Sequence, residues 1–475
     1  IYKVGDKKEF VKRKEVLQSF ENFNFYTNDV KQNTYSPINN AYQVTMPGTM
    51  LFEAENNAFE RGFWKKTVQS YSSQLGYFLV LNRSYSDFEY IEEDTFELSQ
   101  ISRNFVKQFK YEISDWSYEI EEDYNAFKLK ASKQDMPNLH IKAVLVGNQY
   151  YLLAAQSDDK EAIKSFFNSF KLKTYDYKLP FNTKQDSTLY FSVVTNIDPK
   201  PTNEYDDFYY YSGDEDADLS HEQEEKRGVY YCKSTDEVIV VKYKKFHAYY
   251  SEPNIDSLWI KNKRELISEN SFYTRNENTW KKENQFFQEI ELADTNSQRT
   301  ILVRNILKNG VMYSLITEID FTKPRTKFID NFFSTFTPWD TIIGTPILQN
   351  KAAQFLSDLQ SSDSITREAA YRSFYVMQFK NEDAPKLILA YKARYDENHS
   401  LQIRARLLEA LGNLNHPQIL PFLEKTYTQI GDSLQFQIPI LSALSKNKNA
   451  KSAKLFAELI TSETPLSSYM RDADE

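Results

Sequence analysis

The run DEDADLSHEQEE at residues 214–225 is a dense set of hard oxygen ligands. Asp214, Asp216 and Asp218 alternate, and Glu222 and Glu225 stand ninth and twelfth in the same run. That is the spacing with which an EF-hand loop surrounds calcium with carboxylates. Two features oppose it. Leu219 stands where such a loop takes Gly for its sharp turn, and the Tyr209–Tyr211 run ahead of it reads as strand, not helix. The competing reading is an acidic, solvated insert between strands. Apart from calcium, no cofactor is expected.

The remaining reactive side chains are scattered. His140 and His247 fall in strand-like runs, and His399 and His416 fall near helix starts. None of these four has a second ligand at His-x-x-x-His or His-x-Glu spacing, so isolated polar roles are expected. Cys232 is the only cysteine, which excludes an internal disulfide and a thiolate metal cluster and suits a small buried side chain. Neither a nucleophile elbow of the Gly-x-Ser-x-Gly type nor a phosphate loop occurs, and the chain is expected not to be an enzyme. The pairs Tyr230–Tyr231 and Tyr249–Tyr250, with Tyr209–Tyr211, could form an aromatic platform for a glycan or a peptide. Neighbours in a strand face opposite sides, however, so core packing on one face is the competing expectation.

Composition sets the frame for these residues. A chain of 475 residues suits about three domains. The 33 Tyr and 34 Phe supply large buried areas, and only 11 Gly argues against folds built on glycine phosphate loops. A net charge of −9 disfavours a nucleic-acid partner. The clusters Lys242, Lys244, Lys245 and Lys261, Lys263, Arg264 read as solvated faces. No run of 18 apolar residues occurs, so no transmembrane segment is expected. The polar opening at Ile1 suggests that a signal peptide or an upstream region precedes it in a longer protein.

The elements that would position these groups recur along the chain. IKAVLVGNQYYLLAAQ, from 141, and ILVRNILKNGVMYSLITEID, from 301, are each two β-type runs around a turn, at Gly147 and Gly310, followed by a helix. Ile163, Phe166, Phe167 and Phe170 match Ile329, Phe332, Phe333 and Phe336, each pair 166 residues apart. The spacing i, i+3, i+4, i+7 puts each set on one helix face against a sheet. Read backwards, the first copy contains strands at Tyr42–Met46, FWKKTVQSY and YFLVLNRSY, a helix within 91–109 and the strand AFKLKAS. The second contains GVYYCKSTDEVIVVKYKKF, a helix over about 255–267 and FFQEIELA. A duplicated, mainly antiparallel sheet with helices on it is expected.

Beyond Pro338 and Pro346 the aromatic strands give way to Ala, Leu and Ile at helical spacing. Three helix pairs align, and Ile403 and Phe436 open equivalent helices 33 residues apart. Units this small must stack to bury their faces.

The segments YQVTMPG and SFFNSFKL, with the central hairpin, resemble the PsbP-like family of α+β sandwiches, which implies a domain that works by binding other proteins. RARLLEALGNLNHPQILPFL resembles a HEAT-type repeat, which implies a groove for a partner. The order of domains resembles the C-terminal part of large TraB/GumN-family proteins of Bacteroidota. None of the five histidines has a Gly three residues before it, so that family's own site is not in this chain. The expected fold class is α+β then all-α: two duplicated antiparallel-sheet/helix sandwiches followed by a short HEAT-like α-solenoid. The domains are an extension over 1–20, sandwiches over 21–175 and 176–340, and repeats over 345–475. The expected function is a protein-binding scaffold, periplasmic, outer-membrane-associated or at the cell surface, within a larger envelope complex. Contact is expected at Arg404 and Arg406 on the array, or in the groove between the sandwiches. The alternatives are a regulatory tail of a TraB/GumN-like enzyme and a glycan-binding module.

Overall fold

The computed structural model describes residues 32–55, 66–88, 90–120, 124–199, 223–270, 272–294, 296–395, 399–431 and 433–465. The first part runs through β1 (Gln32–Tyr35), β2 (Tyr42–Pro47), β3 (Thr49–Glu55), β4 (Lys66–Ser72), β5 (Gly76–Ser84) and helix α1 (Asp94–Gln108). It continues with β6 (Glu112–Ile120), β7 (Asn125–Lys133), β8 (Met136–Val146), β9 (Gln149–Gln156), helix α2 (Lys160–Ser169) and β10 (Lys171–Leu172). Seven strands form one antiparallel sheet in the order β3-β4-β5-β9-β8-β7-β6, and β1-β2-β10 form a smaller one. The central strands are apolar on both faces because both are covered. Phe78 and Val80 of β5 pack with β2 and α2, while Leu79 and Leu81 pack with Leu98, Phe105 and Val106 of α1.

The second part holds β11 (Asn182–Asp186), β12 (Phe191–Thr195), β13 (Glu224–Cys232), β14 (Glu237–Lys245) and helix α3 (Ile255–Asn270). There follow β15 (Tyr273–Lys282), β16 (Gln285–Ala293), β17 (Arg299–Lys308), β18 (Val311–Asp320), helix α4 (Lys327–Thr335) and β19 (Thr337–Pro338). Its sheets are β13-β14-β18-β17-β16-β15 and β11-β12-β19. The order β14-β18-β17-β16-β15 runs parallel to β5-β9-β8-β7-β6, with helices at equivalent places.

The Ile–Phe–Phe–Phe helices form as expected, with one correction. Phe170 and Phe336 are not helical; each is an extended C-cap residue with ψ near 121°. Their rings still enter the same cores, Phe170 against Tyr42 and Tyr151 and Phe336 stacked on Phe191 at 4.4 Å. Strands β6 and β15 were not anticipated. They are sheet edges with mostly exposed side chains, so no apolar alternation marks them.

The last part is helical: α5 (Ala352–Asp358), α6 (Ser364–Arg372), α7 (Ala384–Tyr391), α8 (Ser400–Leu411), α9 (Ile419–Ile430), α10 (Leu434–Lys446) and α11 (Ala450–Ser462). They share one core that includes Leu387, Ile403, Leu407, Leu423, Ile440 and Leu444. Helices α8 and α10 approach so closely that a Cβ on Gly412 would lie 2.6 Å from the Ala443 Cα. The helices dock on the second sandwich through Tyr249, which joins their core and donates its hydroxyl to Asp358 Oδ2 at 2.9 Å. Among the described residues no helix is long and apolar enough to cross a membrane.

Candidate functional site between the two sandwiches

Arg299 opens β17 of the second sandwich and is 4% exposed, yet most of its partners belong to the first. Its Nη2 donates to Glu97 Oε2 at 2.6 Å and to the Glu92 carbonyl at 2.8 Å, and its Nη1 donates to the Tyr150 hydroxyl at 3.0 Å. Its Nε lies 3.3 Å from Asp94 Oδ1. Asp94 and Glu97 lie in the first turn of α1, where the helix dipole favours carboxylates. Asp94 also accepts from Ser297 Oγ at 2.6 Å and from the Gln298 amide at 3.0 Å. One guanidinium thus ties two sandwiches together, and its planar fork allows it to serve several acceptors at once.

Glu318 of β18 completes the cluster from the other side. Its Oε1 is 4.0 Å from Arg299 Nη1 and has no hydrogen-bond partner, although the side chain is 2% exposed. Burial pushes this carboxyl up to about 8, against the attraction of Arg299. Burial also raises Glu97. One cation facing three carboxylates, Asp94 and Glu318 buried and Glu97 half-buried, is a charge deficit that a proton on Glu318 reduces.

Beside this clamp the β8–β9 turn meets the connection from β18 to α4, and the two enclose a half-open cleft of about 500 Å³. Asn148 and Gln149, in and beside that turn, fix it by donating to the Asp236 and Thr235 carbonyls at 3.0 and 3.3 Å. The apolar lining includes Val146, Tyr151, Leu172, Tyr175, Ile319 and Ile329. Glu237, 4% exposed, also lines the cleft. It accepts from Tyr177 at 2.7 Å, from Thr235 at 2.5 Å and from Thr326, the N-cap of α4. Burial raises its carboxyl, while these hydroxyls favour the charged form.

The other expected sites fare differently. Asp214, Asp216, Asp218 and Glu222 lie outside the described residues. Glu225 lies in β13 opposite Lys244, 2.9 Å away, so the acidic run leads into a strand where an EF-hand would lead into a helix. Among the described residues no group of three or more His, Cys, Asp or Glu could hold a metal.

Arg404 and Arg406 are bound within the array. Arg404 donates to the Ala393 carbonyl at 3.0 Å, and Arg406 donates to the Tyr371 carbonyl at 3.3 Å and lies over its ring. They tie neighbouring helices together, so reversing their charge would disturb the array as well as any partner.

Tyr230 and Tyr249 are buried, donating to Asp186 and Asp358, and the half-buried Tyr231 and Tyr250 donate to Asp236 and Glu252. Tyr230 and Tyr249 thus face the cores, and an acid partner engages each of the four. Tyr209–Tyr211 lie outside the described residues. His247 is not in a strand but follows β14; it is buried, with Nε2 3.2 Å from Ser373 Oγ. His140 is in β8, lowered by burial, and His399 lies 3.7 Å from Glu368. His416 accepts the Gln418 amide at 3.3 Å. Cys232 is buried in the second core.

Sequence reasoning missed Arg299, Asp94, Glu97, Glu318 and Glu237. The acidic start of α1 was visible, but its partner is some 200 residues away and nothing local marks it.

No protein-family model matches the chain, and no curated protein does. The TraB/GumN resemblance therefore has no support from these comparisons. Among solved structures, the chain is similar to cyanobacterial PsbP from Synechocystis sp. PCC 6803 at 8% identity and a TM-score of 0.25, covering 32% of this chain and 98% of that one. It is also similar to the type VI secretion immunity protein TplEi of Pseudomonas aeruginosa in complex with "L" peptide, at 8% identity and a TM-score of 0.15, covering 66% and 100%. The apo form of that protein gives 7% identity and a TM-score of 0.16, covering 66% and 98%. Scores this low carry no functional assignment.

Proposed function

We propose that the chain is a non-catalytic, protein-binding scaffold whose cleft between the sandwiches receives a segment of its partner. The observation that carries this reading is a cleft with apolar lining beside the Arg299 clamp, which ties together the two parts of the chain that supply the cleft's walls. Preorganised walls reduce the ordering cost of association. On the same reading the two sandwiches are tandem copies of one PsbP-like domain, and the helix pairs are a HEAT-like solenoid that extends the binding surface. The host protein would be a periplasmic or surface component of a bacterial envelope.

The test is native mass spectrometry of the protein isolated gently from its source, beside a Thr174→Trp variant. Thr174 lines the cleft and is exposed, so the indole fills the space at little cost to folding. A stoichiometric partner lost from the variant is expected. A partner retained by the variant, or none with the wild type, would remove the cleft from the proposal. Finding these domains as the tail of a longer chain with its own active site would favour the regulatory alternative.

A further inference from the structure

The charged residues of the cleft are sorted by depth. The acids Glu237, Glu318 and Asp320 are all below 9% exposure, whereas the bases Lys173, Lys323, Arg325 and Lys327 are all half-buried or exposed. The acids are also engaged internally: Glu237 by three hydroxyls, Asp320 by Thr322, and Glu318 in the Arg299 cluster. Arg325 is itself paired with Glu289 at 2.7 Å, so the positive charge of the rim is carried by Lys173, Lys323 and Lys327, in a chain whose net charge is −9. Such a rim is a local exception to the field of the whole protein and attracts an anionic partner.

The lining also offers apolar and aromatic surface, from Val146, Leu172, Tyr175 and Ile329. A cleft of about 500 Å³ accepts one or two large side chains, not a folded domain. Resting on the proposed binding role, we infer that the partner segment is an extended acidic peptide with an apolar anchor residue. The anchor enters between the tyrosines and aliphatic residues, and flanking Asp or Glu side chains meet Lys173 and Lys327. These contacts are rim ion pairs, which set association rate and selectivity more than affinity, so binding weakens as salt rises.

The test is selection of a random heptapeptide library on the whole protein, with counts compared among wild type, Lys173→Glu/Lys327→Glu and Thr174→Trp. Melting curves of the variants, all changed at the surface, establish that they are folded. The expected result is enrichment of Asp- and Glu-flanked aromatic or aliphatic residues on wild type. Selected peptides, synthesised and followed by fluorescence anisotropy, should bind about tenfold or more weakly to the double variant and be blocked in Thr174→Trp. Peptides that Thr174→Trp blocks but that are basic or uncharged would overturn the acidic assignment and leave the binding role intact. Peptides that bind all three proteins alike, or no enrichment, would overturn both.

Discussion

Replacing Glu318 by Gln tests whether the junction of the sandwiches stores a proton. Glu318 is buried with Arg299 as its nearest cation, while Glu97 and Asp94 already bond that guanidinium. Its carboxyl is held at about 8 in the folded chain against 4.5 for an ordinary glutamate. Between these values the folded state binds one more proton than the unfolded state, so stability falls as pH rises from 4.5 through 8 and then levels off. At ~1.4 kcal/mol per pH unit, the loss is on the order of 5 kcal/mol. The raised Glu97 works in the same direction. Gln keeps the shape of the protonated acid, and Oε1 makes no hydrogen bond that could be lost. Thermal unfolding from pH 5 to pH 9, followed by near-ultraviolet circular dichroism, should give similar first midpoints for both proteins at pH 5. At pH 9 the variant should be higher, on the order of 10 °C for a loss of that size in a domain this large. Parallel curves, or a variant less stable at every pH, would refute a proton held at Glu318.

Four further outcomes follow from named contacts. Arg299→Met should lower the first transition by about 3–5 kcal/mol, because it strands Asp94 and Glu97 without their cation, and denaturant melts at pH 7 measure this. Gly412→Ala should cost about 1–3 kcal/mol in the transition of the helical array, read from far-ultraviolet melts, since the new methyl meets the Ala443 backbone at 2.6 Å. Tyr249→Ala removes a ring from the array core and the bond to Asp358, so limited proteolysis should cleave the 341–351 connection faster than in wild type. Calorimetric titration with calcium to millimolar concentration should release no heat, because Leu219 replaces the turn glycine and Glu225 leads into β13.

The parts legible in the sequence were those with a local physical signature. Continuous apolar runs around turns marked β5, β8, β9, β17 and β18, and the Ile–Phe–Phe–Phe spacing marked α2 and α4. The edge strands β6 and β15 escaped because an edge half exposed to water needs no apolar pattern. Arg299 escaped for another reason. In the sequence it is one arginine in QRTILV, and only the folded chain brings it to the first turn of α1. Arg404 and Arg406, expected as partner contacts, also donate to the Ala393 and Tyr371 carbonyls, contacts between helices that their place in the sequence does not announce.

The tyrosine-rich, acidic composition takes on a structural meaning at these junctions. A buried phenol needs a hydrogen-bond acceptor, and carboxylates are the strongest the chain offers. Tyr150 donates to Glu97 inside the clamp, Tyr177 to Glu237 at the cleft, and Tyr249 to Asp358 beneath the helices. Each pair joins segments more than 50 residues apart, and each lies where one part of the fold meets the next. Burial makes such phenols harder to ionise, as for Tyr150, Tyr177 and Tyr249, so they remain donors across the ordinary pH range. Of the three carboxylates, Glu237 is the one that lines the cleft, and its hydroxyl partners hold it away from solvent. The rim of that cleft is left to lysine and arginine, so the tyrosine that anchors Glu237 also bears on the sign of the charge a partner meets.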